Sequence, residues 1–158
     1  MAAPVPTALP DDVIAFLRGG LAIVVATRDD ELQPEIARGW GPEVAPGGTS
    51  VTLCVSVAPG SRTRANLQGN GAIAVTCSRP STYRTVQLKG RAVDVREPGE
   101  EQLARARQHL AAFVEEVQQV GLRPDDARGF MEPELVAVTV EVRELFDQTP
   151  GQNAGARL

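Results

Sequence analysis

Residues 59–67 are PGSRTRANL, and the interpretation of the whole chain starts from this stretch. Pro59 and Gly60 end the apolar run that precedes this stretch, and a short helix begins at Ser61. The free backbone N–H groups of a first helical turn attract anions, and the hydroxyl groups of Ser61 and Thr63 strengthen that attraction. Arg62 and Arg64 add positive charge. The pattern predicts a phosphate-binding turn; the alternative is a capped surface helix with two solvated arginines.

Strand patterns lie on both sides of this turn. Residues 50–57 alternate between apolar and polar side chains, as in a strand with two different faces. A later strand is long, and its alternation slips around Gly90, which predicts a β-bulge there. Six strands are expected in all, at residues 21–27, 33–40, 50–57, 72–77, 83–95 and 136–143.

Helical patterns are fewer. A short helix begins near Asp11, a second covers residues 61–67, and the longest covers residues 97–121 with its apolar side chains at steps of three and four. Short connections between most strands favour antiparallel pairing. The sequence therefore predicts an α+β fold, a mostly antiparallel six-stranded β-barrel with helices packed outside it.

Length and composition limit the classes of function. The chain has 158 residues, 42% of them hydrophobic and 23% charged, which fits a single domain over residues 1–158. A net charge of −4 argues against partners such as nucleic acid or an acidic membrane. The longest apolar run, residues 21–26, is too short to span a bilayer. Cys54 and Cys77 lie in apolar runs and are expected to be buried free thiols.

Both ends of the chain differ in composition from its centre. Residues 1–10 contain three prolines and no positive charge, so they do not resemble a secretory signal, and we expect a cytoplasmic protein. Residues 148–158 are rich in glycine and polar side chains. We expect both tails, 1–10 and 148–158, to be flexible or held by a partner.

Two further groups of residues are candidates for ligand contacts. Gln87 and Lys89 share one face of the fifth strand, where an amide and an ammonium group could meet a polar ring or a phosphate. Arg38 and Trp40 flank a glycine at the end of the second strand, where the indole could cover a flat ring. The alternatives are an exposed strand face for the first pair and a core position for Trp40.

Other motifs were rejected. Residues 69–74 match the dinucleotide fingerprint GxGxxA but precede a strand instead of opening a helix. His109 is the sole histidine and is expected on the surface of the long helix, which leaves no catalytic triad. No spacing of ligand residues indicates a metal site.

The order of these motifs resembles the pyridoxamine 5'-phosphate oxidase-like FMN-binding split-barrel family. The resemblance covers roughly residues 13–146 and rests on RGWG at 38–41, PGSRTRANL, GNGAIAVTC at 69–77 and TVQLKGRA at 85–92. It implies that the barrel is split and that FMN is the cofactor. The implied phosphate contacts are Arg62 and Thr63 with Ser61 and Asn66, and the implied ring contacts are Gln87, Lys89, Arg38 and Trp40.

One departure bears on the cofactor: many family members have a lysine where this chain has Thr63. Arg62 or Arg64 could compensate, and haem or a deazaflavin are the alternative ligands. The resemblance implies a small flavin-dependent oxidoreductase acting on a small-molecule redox substrate, with its site at a homodimer interface. A single histidine and the short chain suggest that a second site for a substrate phosphate is lacking. The alternatives are a non-catalytic flavin- or haem-binding sensing module, or a structural dimer.

Overall fold

The computed structural model describes residues 5–158 and contains, within them, four helices and seven strands. The helices are α1 (Asp11–Leu17), α2 (Thr63–Gln68), α3 (Glu100–Gln118) and α4 (Pro124–Arg128). The strands are β1 (Ala22–Arg28), β2 (Pro34–Val44), β3 (Ser50–Ser56), β4 (Ala72–Ser78), β5 (Thr85–Arg96), β6 (Leu135–Asp147) and β7 (Ala156–Arg157). No helix in this part of the chain is long and apolar enough to cross a membrane.

Six of the described strands form a closed antiparallel barrel. The strand order is β3-β2-β1-β4-β5-β6, and β3 also pairs with β6, which closes the sheet on itself. This confirms the predicted α+β class with a six-stranded antiparallel barrel and outer helices. The predicted bulge is confirmed too, because the register of β5 against β6 shifts between Lys89 and Gly90.

The alternation of side chains divides the residues of the barrel between an interior and an outer surface. Ile23 and Val25 of β1, and Val75 of β4, are buried in the interior together with Leu88 and Val140. The side chains between them point outward and are only partly buried. Most of the apolar burial therefore lies inside the barrel, and the outer surface remains available for helices and ligands.

Helix α3 covers part of that outer surface and builds a second core. Trp40 and Cys54 from the barrel pack there against Ala106, Phe113 and Val117 of α3. Trp40 is only 2% exposed, and its ring meets Phe113 edge-on at a centroid distance of 5.8 Å. Burial of these aromatic side chains fixes α3 across β2 and β3.

Backbone hydrogen bonds connect the described parts of both tails to the barrel, and whether the tails are flexible or held by a partner stays a prediction. Thr7 donates its backbone N–H to the Val142 carbonyl at 2.7 Å, and Leu9 is similarly bonded to Gly48; residues 1–4 lie outside the described part. At the other end β7 pairs with β6, and Leu158 N–H donates to the Leu145 carbonyl at 2.9 Å. Backbone hydrogen bonds thus hold both segments, and the N-terminal one also buries Leu9 in the main core.

Candidate functional site

The first turn of α2 is fixed by its own hydroxyl groups. Ser61 Oγ accepts a hydrogen bond from the backbone N–H of Thr63 at 3.1 Å and donates one to Thr63 Oγ1 at 2.8 Å. Thr63 is only 1% exposed. The Thr63 hydroxyl is therefore engaged within the turn, whereas Ser61 stays accessible at the edge of a neighbouring cavity.

The two arginines of the turn are paired with carboxylates. Arg62 lies 3.1 Å from Asp29 and 3.6 Å from Glu35, and Arg64 lies 2.9 Å from Glu97. Both guanidinium groups are well exposed, so these pairs are weak and exchangeable. An anion at this turn would have to replace a carboxylate.

Asn66 stabilises the position of α2. Its Nδ2 donates to Thr27 Oγ1 at 3.1 Å, and both side chains are buried. This bond ties the helix to the end of β1. The Asn66 amide nitrogen is therefore engaged inside the fold, and the phosphate contact that the resemblance implies stays a prediction.

Arg38 lies beside Ser61 at a cavity that the sequence pattern did not reveal. The cavity measures about 320 Å³, and its lining includes Val24, Arg38, Ser56, Ser61 and Phe130. The Arg38 guanidinium lies 4.8 Å above the centre of the Phe130 ring, in a cation–π contact. Two carboxylates, those of Glu35 and Glu132, also line the cavity.

Phe130 is the residue of this cavity that sequence reasoning missed. It follows α4, in a loop after Gly129, and its ring centre lies 6.0 Å from that of Phe113. The available signal was an aromatic side chain next to glycine in a polar loop. Phe130 supplies the aromatic wall that the sequence analysis assigned to Trp40.

Trp40 is buried in the second core, which corrects that assignment. Its Nε1 donates to Ser56 Oγ at 3.1 Å, so the polar atom of the ring is satisfied internally. The indole packs under α3 and does not line the cavity of Arg38, Ser61 and Phe130. It supports the wall of the site indirectly, through its contact with Phe113.

Gln87 and Lys89 share one face of β5, as predicted, and that face points outward. Gln87 Nε2 donates to Thr76 Oγ1 at 2.9 Å, which leaves its amide oxygen to accept a further bond. Lys89 Nζ lies 4.8 Å above the ring centre of Phe146. Each side chain keeps polar capacity toward the outer surface.

A single cross-sheet row connects Arg38 with Gln87. Val24 is the register partner of Arg38 on β2 and of Thr76 on β4, and Thr76 is the partner of Gln87 on β5. Three strand spacings separate the ends of this row, about 14 Å. The flanking outward positions on β1 and β4 are small, namely Ala22, Ala26, Ala74 and Ser78. The result is a shallow, smooth face between two polar ends, which we call the outer face.

The reactive side chains of the chain lie elsewhere. His109 is only 6% exposed, inside the second core, which corrects its expected surface position. Burial raises the pKa of Cys54 to about 11 and that of Cys77 to about 12. None of these groups lines the outer face, whose polar side chains are those of Arg38, Thr76 and Gln87.

Comparison with known proteins identifies the fold of the chain through similar solved structures. No family model matches the sequence, and no curated protein matches it. Among solved structures, HupZ of Group A Streptococcus is similar at 20% identity and a TM-score of 0.54. The match covers 93% of this chain and 100% of the HupZ chain. A candidate pyridoxamine 5'-phosphate oxidase from Lactobacillus delbrueckii is similar at 15% identity and a TM-score of 0.54, covering 92% and 99%.

A third solved structure, an F420 reductase, is similar at 14% identity and a TM-score of 0.55, covering 87% of this chain and 98% of that one. All three likenesses extend over nearly the whole barrel and its helices, at identities that report on fold alone. The chain therefore has the split-barrel fold of the pyridoxamine 5'-phosphate oxidase-like proteins.

Proposed function

We propose that this protein binds a flavin, FMN in the first instance, on the outer face and uses it as a small oxidoreductase. The observation that carries the proposal is the row from Arg38 to Gln87. It offers a cation and an aromatic wall at one end, an amide oxygen at the other, and small side chains between them. A planar tricyclic ring fits such a surface without displacing a large side chain.

The phosphate of the cofactor is assigned to the end of the face that Arg38 and Ser61 share. These two side chains line the same cavity. Arg62 can join them by exchanging Asp29 for the phosphate, because its ion pairs are exposed. Arg38 and Arg62 would then take the place of the lysine that aligns with Thr63 in the proteins that the sequence resembles, against the opposing charges of Glu35 and Glu132 in the same cavity.

When bound, the flavin would supply hydride transfer, and the protein supplies position and electrostatics. Gln87 holds the polar edge of the ring through its amide oxygen. Lys89, which lies over Phe146 on the same face of β5, would place a positive charge near that edge of a bound ring. Val24 and the neighbouring alanines exclude water from the face of the ring that lies on the sheet.

The shared site at a homodimer interface is part of the proposal. The outer face is shallow and carries an exposed apolar side chain at its edge, Ile36, with 72% of its surface accessible. A shallow face binds a small molecule well only when something covers it, and an identical subunit is the commonest cover. Light scattering that gives the mass of a monomer at all concentrations would reject the shared site.

Among the alternative cofactors, a deazaflavin shares the planar ring and is compatible with the likeness to an F420 reductase. Haem is less well supported, because the sole histidine is buried with Nδ1 engaged by Gly41. A sensing module without turnover would use the same face. Only the redox behaviour of the bound cofactor separates it from an enzyme.

The test is an absorption spectrum of the protein purified without added cofactor, followed by titration with FMN. We expect saturable quenching of FMN fluorescence that weakens roughly tenfold in Arg38→Gln and in Gln87→Ala. Arg123→Gln, which changes an exposed arginine of the α4 region, is the control and should bind as the parent does.

Reduction of the bound flavin by NADH or NADPH and its reoxidation would support an enzyme. A redox-silent complex would support the sensing module. A protein that remains colourless and indifferent to FMN and to a deazaflavin would reject the proposal.

A further inference from the structure

Four basic side chains from distant parts of the sequence meet at a second cavity. Arg28 of β1, Lys89 of β5, Arg143 of β6 and Arg157 of β7 all line a groove of about 650 Å³ on the outside of the barrel. We call it the cationic groove. The strand order β1-β4-β5-β6-β7 is what brings these residues together.

The floor of the groove consists of small residues. Ala72 and Ala74 occupy outward positions on β4 that alternate with buried Ile73 and Val75, and Ala26 occupies an outward position on β1. Gly90 continues the floor onto β5, where a Cβ would collide with the Glu141 carbonyl oxygen. Long basic side chains around a floor of alanine and glycine leave space for a ligand beneath their charged ends.

The charge of the groove is positive after its carboxylates are counted. Arg143 pairs with Glu141 at 3.4 Å, and Arg157 pairs with Glu144 at the long distance of 3.8 Å. Within residues 5–158, Arg28 and Lys89 form no ion pair: Arg28 donates to the Asp29 carbonyl, and Lys89 lies over Phe146. Two uncompensated cations thus remain on a chain whose net charge is −4.

The groove adjoins the row that carries the proposed flavin site. Lys89 lies two residues beyond Gln87 on β5, and Ala26 lies two residues beyond Val24 on β1. The separation along the strands is therefore about 7 Å. A molecule whose reactive part lies over the ring could extend a charged group into the groove.

We propose that the cationic groove binds the anionic end, a phosphate or a carboxylate, of the substrate that reacts at the outer face. Arg and Lys side chains bind such oxyanions through charge-assisted hydrogen bonds. This proposal rests on the proposed function in one respect, namely that the bound anion is part of a substrate. Binding of an anion in the groove does not depend on it. It revises the expectation that the chain lacks residues for a second anionic group.

Equilibrium binding of two simple probes, pyrophosphate and citrate, tests the proposal. Each is titrated calorimetrically into the full chain at constant ionic strength, with and without FMN. The double variant Arg28→Gln/Arg157→Gln removes two cations at opposite sides of the groove. We expect it to weaken binding of at least one probe by roughly tenfold or more while FMN binding is retained.

Two further variants complete the design. Arg123→Gln/Arg128→Gln removes two exposed, locally paired arginines and should leave probe binding unchanged. Ala72→Leu fills the floor without changing charge and should weaken binding as the double variant does. Preference for pyrophosphate would identify a phosphate-bearing substrate, and preference for citrate would identify a carboxylate.

Equal affinity in the double variant and the control, or no binding of either probe, would overturn the proposal. Competition between pyrophosphate and FMN would also overturn it, because the groove would then hold the phosphate of the cofactor. If FMN fails to bind while the probes bind and respond to the variants, the anion site stands. In that case the proposed flavin function is what has failed.

Discussion

Gly41 and His109 are joined by a hydrogen bond in the second core, where the Gly41 backbone N–H donates to His109 Nδ1 at 3.1 Å. Because Nδ1 accepts, neutral His109 carries its proton on Nε2, which makes no hydrogen bond within the described residues. Burial lowers the pKa of His109 to about 4, against a smaller raising effect from the backbone of Leu21. Protonation would break the bond to Gly41 and place a charge in an apolar core.

This pKa makes stability depend on pH. In the unfolded chain the pKa of His109 is near 6.5, so between pH 4 and 6.5 the unfolded state binds more protons. The free energy of unfolding should therefore rise through this window by about 3 kcal/mol and keep that contribution above it. Urea denaturation as a function of pH measures the effect. In His109→Gln this window should flatten; an unchanged slope would assign the dependence to other groups.

Gly41 itself should resist substitution. It has a φ of +60°, and a Cβ at this position would lie 2.8 Å from the backbone nitrogen of Ala106 in α3. Gly41→Ala should lower the free energy of unfolding by roughly 2 kcal/mol or more. Gly47→Ala is the control, since Gly47 also has a positive φ but no atom near its Cβ position. If both variants lost the same free energy of unfolding, the close approach of residue 41 to α3 would not be the cause of the loss.

Gly90 should be as sensitive for a different reason. A Cβ there would overlap the Glu141 carbonyl oxygen at the bulge, so Gly90→Ala must separate β5 from β6. A loss of roughly 2 kcal/mol or more is expected by thermal or chemical denaturation. Gly129→Ala, whose Cβ has no neighbour closer than 3.5 Å, should be nearly neutral. A neutral Gly90→Ala would contradict the close approach of the two strands.

The two thiols should be inert in the folded protein. Cys54 and Cys77 are buried, and their raised pKa values keep the reactive thiolate scarce. A colorimetric thiol reagent should titrate essentially none at neutral pH and both after denaturation. Rapid labelling of either residue in the native protein would show that the barrel opens readily.

The carboxylates that pair with Arg62 should oppose cofactor binding. Asp29→Asn keeps an oxygen for the turn bond from Gln33 but removes the charge beside Arg62. FMN should then bind about two- to fivefold more tightly in a fluorescence titration. Glu97→Gln frees Arg64 instead and should have little effect, because Arg64 and Glu97 line a different cavity, whereas Arg62 pairs with Glu35 at the cavity of Arg38 and Ser61. Equal effects would indicate nonspecific electrostatics.

Much of the barrel was predictable because several of its strands alternate apolar with polar side chains and short polar turns separate them. The bulge at Gly90 and the shared face of Gln87 and Lys89 follow from local patterns that tertiary packing did not override. The second strand is longer than predicted and continues through a glycine and a proline to Val44, with an irregular register after Trp40. Strand β7 was missed because its two exposed residues carry no apolar pattern.

The site was harder to predict, since its parts lie far apart in the chain. His109 follows Ala106 by three residues and precedes Phe113 by four, so helical spacing alone placed it on the buried side. The sequence analysis nevertheless expected His109 on the surface, because its ring is polar. Phe130 and the partners of Arg62 depend on which loops meet after folding, which composition does not encode.

The pairing of β3 with β6 also determines how the chain must fold. Two strands and three helices separate them in sequence, so the barrel cannot close until nearly all of the chain is available. Non-local pairing of this kind makes folding slow. During synthesis β3 keeps an unpaired edge until β6 emerges, and such an edge can pair with another chain. Closure of the barrel is therefore the step at which a nascent chain is most exposed to aggregation.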